Sequence, residues 1–568
     1  MKKLFFTLLS FFSLAVNAAD FVVNGIAYNA LSLTDLTCEV TNNSTPYSGD
    51  IIIPETVSYQ NRTFTVIGIG KDAFSGCGDV TSLVLSNTLT YIGSNAFYGC
   101  RKLTSLSIPG SVTSIESGAV AYSGIKKLRL EDGNSTLRIA AYIVGVHSFS
   151  SFNCNNIDTL YLGRNLTGGD GKKGFFETDV YSEYENTLSE ITIGQCVTII
   201  PSHVFWNSKA KKIVIPSSVT KIQDDAFHSC YYEELIFENG DTPIELGIHV
   251  YEDWSLNNIE YCVMHNYSLK NLYIGRDIKL AQVGSQGSTN YDYVHGFYNL
   301  SSLKNVTIGE NVTELPNHLF RDCNGIEKIV LPKKLSNLNG ALVGCTGIMD
   351  ITCQSTIPPS VTSSSFTNNQ YLNAAVKVTE DAYDTYKANE VWGQFWGLTK
   401  TSSSEIETKK CNKPTINYSY GKLSFHCDTE GAEYHSTITD LDIASYNTNE
   451  VQLDVTYNIS VYATKAGYEN SDVATATLCW IDVEPKTEGL VDDIAQVRAK
   501  AILIQSMDGQ IVLSGIDDGT RIYAYKVNGQ QVGSAISHNG QANLTTNLKP
   551  GSIVIIKIGE RSVKAIIK

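Results

Sequence analysis

The chain has 568 residues, of which 42% are hydrophobic and 18% charged, and its formal net charge is −15. That length is too great for one ordinary core, so three or more structural units are expected, and the composition is too apolar for a wholly disordered chain. There is no long run of Lys or Arg. Without a basic stripe to neutralise phosphates, the chain is not expected to bind nucleic acid.

Lys2 and Lys3 precede an apolar stretch from 4 to 16, and Val16-Asn17-Ala18 offers small residues for cleavage before Ala19. This is the pattern of a secretory signal peptide over 1–18. The stretch falls short of the ~20 residues a membrane span needs. No Cys follows the cleavage region, and the last apolar run, 553–558, is of strand length. The mature chain is therefore expected to be exported, secreted or held at the cell surface, with no transmembrane segment.

Beyond the leader, short apolar-x-apolar triplets recur, starting at Leu83, Leu106, Leu128, Leu160, Ile191, Ile213, Leu235, Leu272, Val306, Ile329 and Ile351. Successive starts lie 23, 22, 32, 31, 22, 22, 37, 34, 23 and 22 residues apart. A base period of 22–23 lies within the ~20–29 of leucine-rich repeats. A second register runs in phase: Ala73-Phe74-Ser75-Gly76-Cys77, Ala96-Phe97-Tyr98-Gly99-Cys100 and Ala226-Phe227-His228-Ser229-Cys230. Weaker copies end in Phe320-Arg321-Asp322-Cys323 and Leu342-Val343-Gly344-Cys345. In a third, each triplet leads into Pro or Gly, as in Ile108-Pro109 and Ile193-Gly194, and then into Val112-Thr113-Ser114-Ile115 or its equivalent.

The unit AFxxC followed by LxxLxIPxxVTxI resembles the BspA-like leucine-rich-repeat family of bacterial surface proteins, over residues 20–400. The opening Phe21 to Tyr28 and the closing Tyr383 to Lys387 with Trp392-Gly393-Gln394-Phe395 are similar to it as well. The resemblance implies a bacterial solenoid associated with adhesion to host proteins or to other cells.

Each repeat is one strand plus a return segment that cannot bury its apolar side alone. Stacking eleven strands at about 4.8 Å gives a sheet on the order of 50 Å long. The first and third triplet residues are expected to face inward and the middle one solvent. Phe74, Phe97, Phe227 and Phe320 are expected to form one stacked column, with Cys77, Cys100, Cys230, Cys323 and Cys345 as a column beside it. Stacked equivalents lie about 4.8 Å apart with parallel Cβ vectors, whereas a disulfide needs Cβ atoms ~3.8 Å apart and turned toward each other. The five are therefore expected to be buried free thiols, while pairing among the other eight of the 13 cysteines stays open.

Residues 19–70 are expected to cap the solenoid of 71–400, and the polar stretch 401–410 to link it to a C-terminal region. From Cys411 the pattern turns to short alternating strands. Residues 411–483 contain Gly431-Ala432-Glu433-Tyr434 and Val461 to Tyr468, and resemble the immunoglobulin-like module of chitobiase-type enzymes. After a second linker, 484–498, residues 499–568 contain Val527 to Val532 and end in Val563-Lys564-Ala565-Ile566-Ile567-Lys568. That segment is similar to the C-terminal sorting domains of type IX secretion cargo. The expected fold is thus mainly β: a leucine-rich-repeat solenoid followed by two small antiparallel β-sandwich domains.

None of the ten histidines makes an HExxH or His/Cys metal spacing, and neither a GxSxG elbow nor a P-loop occurs. No enzyme, cofactor or metal is expected. The outward mid-strand column includes Val84, Tyr161, Val214, Ile236, Tyr273 and Val330, which suits strand propensity and recognition alike. Four long repeats carry aromatic insertions, in blocks 131–190 and 238–305, which either anchor loops on the core or form a recognition face. On the second view Tyr161, Trp254, Tyr273 and Tyr293 lie at the ligand surface, and the partner is a protein or glycan of a host or neighbouring cell. The alternatives are a structural surface or envelope spacer without a ligand, and an accessory carbohydrate-binding protein.

Overall fold

A computed structural model describes residues 19–566 apart from 141, 145–146, 150–156, 169–186, 228–229, 248, 254–257, 263–265, 267, 281–293, 403–409, 420–421, 441–455, 466–467, 483–498, 508–509, 527–529, 547, 549–552 and 560. The leader, Trp254, Tyr293, most of the first linker and all of the second lie outside the described residues.

The N-terminal end is closed by antiparallel pairing of Phe21–Val23 with Ile26–Ser32 and of Ile26–Ser32 with Thr37–Thr41. Thr37–Thr41 then runs parallel to Arg62–Ile69, which begins the stack. Phe21 packs against Tyr28, Tyr59 and Phe64 at ring distances of 4.7–5.4 Å and seals the core at that end.

From there each repeat gives one short strand to a parallel sheet. Ser105–Ile108, Lys127–Leu130, Thr159–Leu162 and Glu190–Ile193 pair in register, so that Leu106, Leu128, Leu160 and Ile191 align. Lys212–Ile215, Glu234–Phe237, Asn271–Ile274 and Asn305–Ile308 form the next group. Lys328–Leu331, Asp350–Cys353, Ala375–Thr379 and Gly397–Thr401 form the last. Return segments build a second row of parallel strands, among them Ser114–Ile115 and Leu137–Ile139. Strand alternation sends the first and third triplet residues inward, and a single apolar core runs from Phe21 to Leu398.

Between the two rows lies the AF turn. Gly76 and Gly99 there adopt φ of +73° and +71°, which a side chain would strain. Backbone bonds such as Phe74 N–H to the Ala96 carbonyl (2.7 Å) run from rung to rung. Phe74, Phe97 and Phe320 are fully buried and Phe227 is 5% exposed. Among the described residues, however, their rings fall in separate stacks and not in one continuous column. Tyr47–Phe74–Phe97 is one stack, Phe205–Phe227 a second and Phe297–Phe320 a third. Val120 takes the place after Phe97, and the long repeats interrupt the AF turn, so the run of rings is broken while Phe205 and Phe297 join it.

Cys77, Cys100, Cys230, Cys323 and Cys345 are buried and unpaired with one another. Four of them do more than fill space. The thiols of Cys100, Cys230, Cys323 and Cys345 donate to the carbonyls of Phe74, Phe205, Phe297 and Phe320, at 3.3, 2.9, 2.8 and 2.8 Å. Each thus bonds the preceding rung, and for Phe74, Phe205 and Phe320 it is a second bond to a carbonyl that already accepts the backbone N–H of Cys77, Ser208 or Cys323. Burial pushes the thiols of Cys100 and Cys323 up to about 12.

At the far end, Thr367 and Gln370 form a reciprocal cap on the helix Asn368–Asn373. Trp392, fully buried, donates from Nε1 to the Pro359 carbonyl at 2.8 Å, and Phe366, Tyr386 and Phe395 surround it. Beyond the solenoid, pairing is antiparallel. One sheet joins Glu433–Asp440, Thr456–Thr464, Ala474–Asp482, Ala499–Met507, Gln510–Ser514 and Gln541–Thr545. A second joins Gln531–Ile536, Arg521–Lys526, Ile553–Ile558 and Arg561–Ile566. Where the sequence divides this region at 484–498, strand pairing between Ala474–Asp482 and Ala499–Met507 crosses the division, so one sheet is shared by both parts.

Candidate functional site

The mid-strand residues form the outer face of the solenoid, and the structure divides them unequally. Val84 is 41% exposed, whereas Tyr161, Ile236 and Tyr273 are only 8%, 2% and 6% exposed. The expectation that middle residues all meet solvent therefore fails at these three, as it does at Thr352 (6%), and for the three the reason lies in two constellations of the same design.

In the first, the Tyr161 hydroxyl donates to the Asp132 carboxylate at 2.8 and 2.9 Å, and the Arg129 guanidinium lies 3.8 Å over the Tyr161 ring. A Cβ on Gly194, one rung further, would stand 2.6 Å from Asp132 Oδ1 and 2.7 Å from the phenol oxygen, so only glycine fits. Arg164, fully buried, donates to the carbonyls of Pro109, Gly110 and Val112 at 2.6–2.8 Å. Burial draws its pKa down to about 10, and it remains charged at neutral pH. Burial also raises the Asp132 carboxyl, against the opposing effects of Tyr161, Arg129 and Arg164.

In the second, the Tyr273 hydroxyl donates to Asn239 Oδ1 at 2.7 Å, above Gly309. Arg276, fully buried, donates to the carbonyls of Pro216 and Ser217 at 2.7 and 2.8 Å. The sequence carries this duplication openly: Leu160-Tyr161-Leu162-Gly163-Arg164 matches Leu272-Tyr273-Ile274-Gly275-Arg276, and Glu131-Asp132-Gly133 matches Glu238-Asn239-Gly240. Alternation within one repeat does not reveal it, because the duplication spans groups of four repeats. Each group also carries a hairpin insertion, Tyr142–Val144 with His147–Phe149 and His249–Asp253 with Asn258–Cys262.

What differs is the covering. Over the second group sits the loop between strands Thr456–Thr464 and Ala474–Asp482, whose Glu469, Asn470 and Ser471 are 7%, 5% and 4% exposed. The Glu469 carboxylate accepts from the Glu310 backbone N–H at 3.2 Å, and the Asn470 backbone N–H faces the Tyr273 hydroxyl. The loop is held by Ser471, whose N–H donates to the Ala463 carbonyl (3.0 Å) and whose Oγ accepts from the Ala463 N–H (2.8 Å). Burial, and after it the neighbouring Glu469, raises the Glu310 carboxyl, with Lys333 and Lys334 opposing.

Two clefts flank this loop. One, of about 350 Å³, lies between Glu234, Asn271, Asn305 and Thr307 on the solenoid and Glu433, Lys465, Tyr468 and Asn470 on the module. The other, of about 280 Å³, is lined by Gln195, Ser217, Glu238, Asn239, Tyr462 and Asn470 to Val473. Of the four residues expected at a ligand surface, Tyr161 and Tyr273 are thus pinned under other groups, although Tyr273 borders the larger cleft. No cluster of three or more His, Cys, Asp or Glu with metal-binding geometry occurs among the described residues, and no helix among them is long and apolar enough to cross a membrane.

The chain matches the family described as BspA type Leucine rich repeat region in six copies, over residues 67–170, 175–293 and 288–381. Among solved structures it is similar to a leucine rich cell surface protein from Faecalibacterium prausnitzii A2-165, at 18% identity and TM-score 0.28, covering 67% of this chain and 98% of that one. It is similar to a leucine-rich repeat protein from Bacteroides ovatus ATCC 8483 at 20% identity and TM-score 0.28, covering 67% and 99%. A third, the Pneumococcal vaccine antigen PcpA, is 14% identical with TM-score 0.26, covering 68% and 98%. No curated protein matches the chain.

Proposed function

Since the chain belongs to the BspA-type leucine-rich-repeat family, we propose that it is an exported, non-enzymatic surface protein that binds a protein or glycan through the outer face of its solenoid. One observation carries this reading. Inward triplet residues are uniformly apolar, whereas the middle residues change from rung to rung, as Ser107, Arg129, Thr192, Thr307, Thr352 and Lys377. A rod built only for support gains nothing from such variety, while a recognition face is made of it. The surface role rests on the family; the leader at 1–18 supports export.

The test is the full mature chain applied to panels of host-matrix proteins and to glycan arrays. Saturable binding to one ligand class, weakened by Arg129→Ala or by substitution in the clefts, supports the reading. Absence of saturable binding across both panels turns the assignment to a structural envelope spacer, a role that the C-terminal module seated on the solenoid would also suit.

A further inference from the structure

We propose that the cleft of about 350 Å³ between the solenoid face and the C-terminal module is a binding site for a neutral, hydroxyl-rich glycan unit. This deepens the surface-binding reading and rests on it, by naming the site and the ligand chemistry.

The first argument is the wall itself. Asn470 is 5% exposed, and its side-chain nitrogen is buried without an acceptor among the described residues. Asn470 lines the cleft, and an unmatched buried amide N–H is costly, so a turn of this side chain toward a ligand acceptor relieves that cost. Opposite stands a ladder of amides on adjacent strands, in which Asn305 Nδ2 donates to Asn271 Oδ1 at 2.7 Å. That bond uses one donor of Asn305 and leaves the pair with further donor and acceptor capacity toward the cleft.

The second argument is charge. Glu234 is tied to Lys212 at 2.7 Å, and the Lys465 ammonium donates to the Glu430 carbonyl at 2.7 Å while lying 4.6 Å over the Tyr468 ring. These contacts engage Glu234 and Lys465 and leave the exposed Glu433 as a single carboxylate at the cleft, which thus offers neither the guanidinium fork that selects phosphate nor an acidic cluster for a basic peptide. Amides, hydroxyls and the two tyrosines, Tyr273 and Tyr468, are groups that match sugar hydroxyls and a sugar's C–H face. The volume lies at the lower end of the ~300–1,000 Å³ of ligand pockets, which fits a mono- or disaccharide unit of a longer chain. Because one wall is solenoid and the other is module, binding also ties the two together.

The experiment uses the full mature chain and a panel of neutral disaccharides (lactose, cellobiose, mannobiose and N,N′-diacetylchitobiose), with a glycan array to widen the choice and calorimetry to measure affinity. One glycan class should saturate. Asn470→Ala on the module and Asn305→Ala on the solenoid should each weaken it about tenfold, with the unfolding midpoint close to the parent's. Two variants on opposite walls guard against local misfolding of either. The assignment is overturned if no neutral glycan saturates, or if binding survives both substitutions. Saturable binding to a protein that ignores both substitutions also overturns it, and in that case the surface-binding reading stands.

Discussion

The two four-repeat groups, strands 105–193 and 212–308, carry the same pinned tyrosine, buried arginine and glycine, yet different residues beside the tyrosine. Arg129 occupies the middle of its strand in the first group, and Ile236 the equivalent place in the second. Arg129 is half-buried, stacked over Tyr161 with its charge near water, whereas Ile236 is 2% exposed beside the seated module. A guanidinium shields a ring where the face is open; a branched aliphatic does so where the face is covered. The middle residue of a repeat therefore reports what lies above the sheet, and not merely strand propensity.

Breaking the shared core should have the largest effect. Phe227→Ala removes a ring stacked on Phe205 and should cost about 3–5 kcal/mol of local stability. Repeats couple chiefly to their neighbours, so limited proteolysis should cut near residues 205–250 and spare the first group. Uniform loss of both groups, or no new cutting, would contradict the stacked-rung arrangement.

The buried arginines sharpen the comparison. Arg164→Ala removes the donor to three carbonyls and Arg276→Ala that to two, and since Pro109 and Pro216 keep the N–H of Val112 and Val219, two carbonyls are orphaned in the first and one in the second; losses of about 2–4 kcal/mol are expected, the first larger than the second. Denaturant unfolding of the two variants checks the order.

Much of this was legible in sequence. A period of 22–23 with three registers places the strands and the inward residues, since each rung faces the same packing problem. Most C-terminal strands from Lys422–His426 to Arg561–Ile566 are likewise read as alternating runs, although Gln541–Thr545 is not. What escaped was of two kinds. The burial of Tyr161 depends on a carboxylate 29 residues earlier and that of Tyr273 on a loop beyond residue 460; alternation states which way a side chain points and not what covers it. The thiol bonds of the cysteine column needed rung-to-rung geometry, because composition alone equates Cys with any small apolar residue. The sharing of one sheet across 484–498 is a matter of strand order, which no local pattern carries.

A smaller effect concerns pH. The Glu310 carboxyl is raised in the seated state by burial and then by Glu469. Seating is therefore favoured below the ordinary glutamate value of 4.5 and weakens as pH rises through the raised value. Since Glu310 is only half-buried, the change should stay under about 1 kcal/mol. Glu310→Gln should remove it, as read from the pH dependence of small-angle scattering; an unchanged profile in that variant would assign the effect elsewhere.

The covering of one group and not the other is tested most directly by thiol accessibility at the two equivalent positions. Arg129→Cys and Ile236→Cys, each built with the exposed Cys196 replaced by Ser, are labelled with a maleimide under native conditions. Cys at 129 should react on the order of ten times faster or more, because the reagent reaches 236 only when the module opens. Equal rates would mean that the module does not rest on the second group, and the difference between the two faces would fall with it.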